Sequence, residues 1–186
     1  MKKGRINFMK KLQYVLITLT IAFLGIMFGI MFNFAPEYTY NLSQDSAPEA
    51  SKILYEYILQ DEDMTDEMLE FAHIYPESAR AFEYDLNDDG ENEIIGVVYS
   101  TFYWGTAGYS LFILQKQNNL YEEITWIVNF EPLLPIRILK EKSNGYKNVG
   151  IYGSSAFNFK PLLVKYENGK YQQKATFKKL LDALKQ

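Results

Sequence analysis

The chain has 186 residues, 48% hydrophobic and 16% aromatic, with a formal charge of −4, one histidine and no cysteine. That length suits one globular domain plus an accessory segment, with enough apolar content for a packed core. Disulfides, thiolate metal sites, a cysteine nucleophile, a lipid-modified cysteine anchor and zinc sites built on several histidines are all excluded by count.

The chain opens on a basic segment, residues 1–13, in which Lys2, Lys3, Arg5, Lys10 and Lys11 meet no acid. Tyr14–Phe32 follows as 19 uncharged residues. At about 1.5 Å per helical residue this run approaches the ~30 Å hydrocarbon thickness of a bilayer. Positive charge before the run and acid after it hold the N-terminus in the cytoplasm and send the rest across, so the expectation is an uncleaved signal anchor at the cell membrane. The alternative is a cleaved signal peptide and a secreted or periplasmic domain, with Met9 as a second possible start. Gly25 and Gly29 stand four apart, the spacing at which two membrane helices approach closely and dimerise weakly.

Residues 33–46 (NFAPEYTYNLSQDS) are polar, contain few aliphatics and read as a linker, leaving 47–186 as the extracytoplasmic domain. A helix is predicted from a Ser46 cap, with Glu49 three residues on and Ala50, Ile53, Leu54, Tyr57 and Ile58 on one face. A shorter helix, 66–73, starts at a Thr65 cap and ends before Pro76. After Arg80 the pattern changes. Spans 81–84, 93–100, 109–115, 121–128, 136–140, 146–152 and 159–166 read as strands, punctuated by Asp89-Gly90, Asn118-Asn119, Asn144-Gly145 and Asn168-Gly169. A last amphipathic helix is predicted over 177–185, with Phe177, Leu180, Leu181 and Leu184 on one face. The expected fold is therefore α+β: an antiparallel sheet of six or seven strands, two N-terminal helices and one C-terminal helix, behind a single membrane helix.

Charge is unevenly spread. Residues 33–93 carry 17 acids against two bases, and residues 94–186 carry six acids against 12 bases. Attraction between the two parts explains this, and so does an acidic surface that faces a basic partner or cations. The basic residues of the second part are scattered, which is no nucleic-acid footprint.

Asp85, Asn87, Asp89, Glu91 and Glu93 place oxygen donors around a sharp turn at Gly90, a spacing that can converge on calcium. An EF-hand is excluded, because its twelfth position is Gly96 and a strand follows in place of the exit helix. Without an ion, Asn-Asp-Asp-Gly is good turn chemistry by itself. The loop resembles those of FG-GAP-type repeats, D-x-[DN]-x-D-G-x-x-[DE]. From Phe82 to Tyr171 the chain also resembles uncharacterised exported bacterial proteins, in which a D-L-N-x-D-G loop precedes an aromatic-Cys-Gly-x-x-Gly-Cys loop. The matching stretch here is Tyr103-Trp104-Gly105-Thr106-Ala107-Gly108-Tyr109, so Trp104 and Tyr109 occupy the cysteine positions. The resemblance implies an exported domain and no particular activity.

Phe102, Tyr103, Trp104 and Tyr109 crowd one loop and are the candidate contact for a protein partner, since aromatics anchor interfaces. His73 sits in a short helix far from any nucleophile elbow, and Glu122-Glu123 point to opposite faces of a strand. The sequence therefore points to a non-enzymatic binding module at the extracytoplasmic face, calcium-stabilised at Asp85–Glu93. A specific version is an inhibitor or immunity protein against a basic toxin or lytic enzyme. The rival is an envelope hydrolase drawing carboxylates from separate strands.

Overall fold

The computed structural model describes residues 36–105, 108–153 and 159–176, all within one compact unit, Pro36–Gln186. The expected basic segment, the membrane helix with Gly25 and Gly29, and the C-terminal helix lie outside the described residues. Among the described residues no helix is long and apolar enough to cross a membrane.

Strands dominate. In chain order they are β1 Pro36–Tyr40, β2 Ala79–Tyr84, β3 Glu93–Val98, β4 Trp104–Gly105, β5 Gly108–Gln117, β6 Leu120–Glu123, β7 Thr125–Phe130, β8 Ile136–Ser143, β9 Tyr146–Gly153, β10 Lys160–Glu167 and β11 Lys170–Thr176. The α-helices among the described residues are short: α1 Leu42–Asp45, α2 Pro48–Ile58 and α3 Asp66–Phe71. The expected α+β architecture with six or seven strands is thereby corrected to a predominantly β fold built on one 11-stranded sheet. Two of the added strands, β1 and β11, are polar stretches: Tyr40 of β1 packs against the first apolar cluster, and Tyr171 of β11 is buried in it. The expected strand 121–128 is broken at Ile124, whose N–H donates to Ile113 O (2.9 Å) while its carbonyl accepts from Tyr171 N (2.6 Å).

The path of the sheet is β1-β8-β9-β10-β11-β7-β5-β3-β2, with β4 and β6 also on β5. Neighbours are antiparallel except β11 and β7, which run parallel. Phe130 of β7 also pairs with Gly153 of β9, so the sheet curls back on itself. The hairpin turns are left-handed pairs, Asn118-Asn119 (φ 50 and 66°), Asn144-Gly145 (49 and 88°) and Asn168-Gly169 (54 and 78°). Such turns match the twist of paired strands and favour Asn and Gly because φ is positive.

The curl separates two apolar layers. Phe82, Ile95, Val97, Leu111, Ile113, Ile127, Phe130, Val149 and Tyr171 face the first. Alternate residues of the same strands, Ala81, Ile94, Val98, Phe112 and Leu114, face the second, which α2 covers with Ala50, Leu54 and Ile58. Gly96 permits that cover: a Cβ there would lie 2.5 Å from Arg80 O and 2.8 Å from Leu54 Cδ2. Ala47 stands at the N-cap of helix α2, with Pro48 in the first turn and no side-chain cap bond, so the expected Ser46 cap does not form. Its first turn is held by the edge of β2 instead. Ala47 N donates to Ala81 O (2.7 Å), and Ala81 N donates to Ser51 Oγ (3.1 Å). Helix α3 is capped as expected by Thr65, whose Oγ1 accepts from Met68 N at 3.3 Å.

Candidate functional site

The acidic loop between β2 and β3 is organised by its own side chains. Asp85 accepts from Asp89 N (3.2 Å) through Oδ1 and from Gly90 N (3.0 Å) through Oδ2. Asn87 Oδ1 accepts from Asp89 N (3.0 Å), and Asp89 Oδ1 from Glu91 N (2.9 Å). Asn87 Nδ2 donates to Asp89 Oδ2 at 2.7 Å. Asp88, at φ 61°, turns out of the loop to pair with Lys142 and with Lys147 (3.1 Å), which hold its carboxyl below the usual range.

Glu93 behaves differently. Its side chain is 1% exposed, and its Oε2 accepts from Leu86 N at 2.8 Å. Burial, reinforced by the charges of Asp85 and Asp89, raises its pKa to about 7. Of the five expected metal ligands, Asp85, Asp89 and Glu93 are thus close enough to feel one another, whereas Glu91 is exposed and contributes its backbone N–H. Among the described residues no group of three or more such side chains is converged as a ligand cage. A cation there would have to draw these carboxylates inward against hydrogen bonds to the loop amides, although each oxygen keeps a second lone pair.

The four aromatics of the expected contact loop do not form one patch. Tyr109 turns its ring to Tyr99 (centroids 5.3 Å) on the first apolar layer. Tyr103 packs edge-on against Phe112 (5.3 Å) on the second, with the exposed Phe102 beside it at 5.1 Å. The register of the two strands accounts for the split: Trp104 pairs with Tyr109 across β4 and β5, and the side chain of Trp104 lies outside the described set. Ser100 Oγ fixes the start of the loop by accepting from Phe102 N (3.1 Å) and Tyr103 N (3.4 Å).

Tyr103 stands between two adjoining hollows on the second face. One, of about 360 Å³, is lined by Tyr57, Ile58, Gln60, Asp61, Tyr103, Phe112 and Glu123. The other, of about 270 Å³, shares Tyr103, Phe112 and Glu123 and continues over Thr125, Ile127 and the exposed Val128. Among the described residues, neither is lined by a lysine or an arginine. Burial raises the carboxyl of Glu123, and the charge of Lys170 partly opposes that rise. Burial, Asp61 and Glu123 push the Tyr103 hydroxyl up to about 12, and burial, Glu123 and Asp61 raise that of Tyr57. Two phenols and two carboxylates therefore share one hollow.

Sequence reasoning places Tyr103 here but misses its company. Tyr57 reads as part of a helix stripe, Asp61 as one acid in an acidic turn, and Phe112 as strand core. Glu123 carries one legible signal: strand alternation separates it from the exposed Glu122 and turns it inward. His73, exposed and at φ 53° just past α3, lines neither hollow. No protein-family profile, curated protein or solved structure matches this chain.

Proposed function

We propose that this protein is a binding module that captures a basic protein partner on the face around Tyr103, held at the extracytoplasmic side of the membrane by residues 14–32. The observation that supports it best is the pair of adjoining hollows, walled by Tyr57, Tyr103 and Phe112 and bearing two carboxylates with no lysine or arginine among the described lining residues. Rigid aromatic walls with charge at the centre are what an interface hot spot uses, and acidic surroundings raise the encounter rate with a basic surface. An inhibitor or immunity protein against a basic toxin or lytic enzyme would work this way.

The test is capture from an envelope extract on the full chain in detergent. We expect a basic partner whose retention falls between 0.05 and 0.5 M salt (about one Debye-length regime to another) and is lost on Tyr103→Ala. Retention that ignores both salt and Tyr103 would refute the reading. The hydrolase alternative, with carboxylates drawn from separate strands, would use Glu123 of β6 as one of them. Turnover of cell-wall or ester substrates that Glu123→Gln abolishes would replace the binding reading.

Calcium at Asp85–Glu93 is a second proposal, supported by one specific observation, the crowding of Asp85, Asp89 and Glu93. A divalent ion would relieve that repulsion and tie β2 to β3, stabilising the domain without taking part in partner contact.

A further inference from the structure

Building on the binding reading above, we infer that the hollow lined by Tyr57, Asp61, Tyr103, Phe112 and Glu123 receives a single long cationic side chain, lysine or arginine, projecting from the basic partner. The volume of about 360 Å³ suits one extended side chain and is too small for a folded element. Its walls and charges are divided as such a side chain requires. Phe112 and Ile58, both buried, and the half-buried rings of Tyr57 and Tyr103 offer apolar cover for a methylene stem. Tyr57 and Tyr103 both line the hollow, and an aromatic ring attracts a cationic head the more strongly as water is excluded.

The carboxylates come from different elements. Asp61 lies in the exposed turn that follows α2, and Glu123 ends β6. Glu123 is the recessed one of the two, so it is the counter-ion that a fully inserted ammonium or guanidinium reaches, while Asp61 stands at the mouth. The groups facing Glu123 are Tyr57 and Asp61 from the α2 side, Tyr103 from the loop before β4, and Lys170 from β11. Of these only Lys170 is cationic. A guest cation would therefore meet net negative charge in a partly desolvated setting, where a charge-assisted hydrogen bond is stronger than at an open surface. An anionic guest would meet two carboxylates and, among the described lining residues, no lysine or arginine.

The test uses the full chain in nanodiscs, titrated with four pentapeptides, Gly-Gly-X-Gly-Gly with blocked ends, in which X is lysine, arginine, norleucine or glutamate. Binding is read by surface plasmon resonance. Lysine or arginine should bind at least about ten-fold more tightly than norleucine, which has the stem without the charge, and glutamate should not bind. Glu123→Gln should weaken the cationic peptides about ten-fold or more. Glu122→Gln, one residue away on the opposite face, should not. Tyr103→Phe should retain binding and Tyr103→Ala should lose it, with unchanged melting of each variant as the folding control. Equal binding of norleucine and lysine, or equal effects of the Glu122 and Glu123 substitutions, would overturn the inference. If the extract partner is still captured by Glu123→Gln but lost on Tyr103→Ala, the binding face stands and the cation site falls. If both substitutions leave capture intact, both readings fall.

Discussion

Glu93 is the residue at which burial and charge conflict most sharply. It sits at the start of β3, 1% exposed, holding the N–H of Leu86 while Asp85 and Asp89 oppose its ionisation. Its carboxyl titrates near pH 7 in the folded state, against an ordinary value of 4.5. Between those values the folded chain binds more protons than the unfolded chain, so this group's stabilisation is complete below pH 4.5 and is lost as pH rises through about 7. Glu93→Gln keeps an acceptor for Leu86 and removes the charge. We expect it to flatten the stability slope from pH 5 to 7.5 and to add about 1–2 kcal/mol at pH 8, roughly 3–6 °C in melting midpoint. An unchanged slope would mean that water reaches the carboxyl. Calcium acts on the same balance by favouring the ionised trio. The wild type should therefore gain more from calcium at pH 8 than at pH 5, and Asp85→Ala should gain nothing. Equal melts with calcium and chelator at both pH values would leave the loop as a turn.

Elements were legible where their chemistry is local. Thr65 as a cap, the Asn-Gly turns and the apolar stripe of α2 depend on neighbours in sequence, and each is found where it is expected. Strand β1 was illegible for a tertiary reason. PEYTY has no aliphatic residue, yet Tyr40 stacks on Phe82 at 3.7 Å and Tyr38 meets Tyr84 edge-on at 5.5 Å, so rings of β1 and β2 meet although no backbone bonds join these strands. Lys147 fastens the same corner, with Glu37 at 3.2 Å, Asp88 at 3.1 Å and the Tyr84 hydroxyl at 3.3 Å. The candidate site was illegible for a similar reason: Tyr57, Asp61 and Glu123 meet only because the end of α2, which packs on β2 and β3, reaches the hollow that Phe112 of β5 and Glu123 of β6 also line. If β1 is part of the domain and not a linker, Tyr40→Ala should cost about 2–3 kcal/mol in urea unfolding, less than a fully buried ring. A loss under about 0.5 kcal/mol, the scale of an ordinary surface change, would return residues 36–40 to the tether.

Across the whole molecule, charge is neutralised in one place and left open in another. Among the described residues, the pairs Lys142–Asp88, Lys147–Asp88 and Lys147–Glu37 join the basic later part of the chain to the acidic earlier part. No ion pair among the described residues reaches residues 61–77, where Asp61, Glu62, Asp63, Asp66, Glu67, Glu70 and Glu77 lie in and around α3. Attraction between the two parts therefore explains only some of the asymmetry, and one of the remaining acids, Asp61, lines the aromatic hollow. An acidic face that captures a basic protein works only where such proteins arrive, which makes the location of the domain part of the functional argument. The five positive charges before Tyr14 and the acids after Phe32 predict that location. Full-length protein should stay with membranes through an alkaline wash, and protease added from the outer side should digest the domain while sparing a tag on Met1. Deletion of residues 1–32 should abolish both results. If the domain is instead protected while the Met1 tag is cut, the Tyr103 face looks toward the wrong compartment for an envelope partner. Its basic ligand would then have to be sought inside the cell.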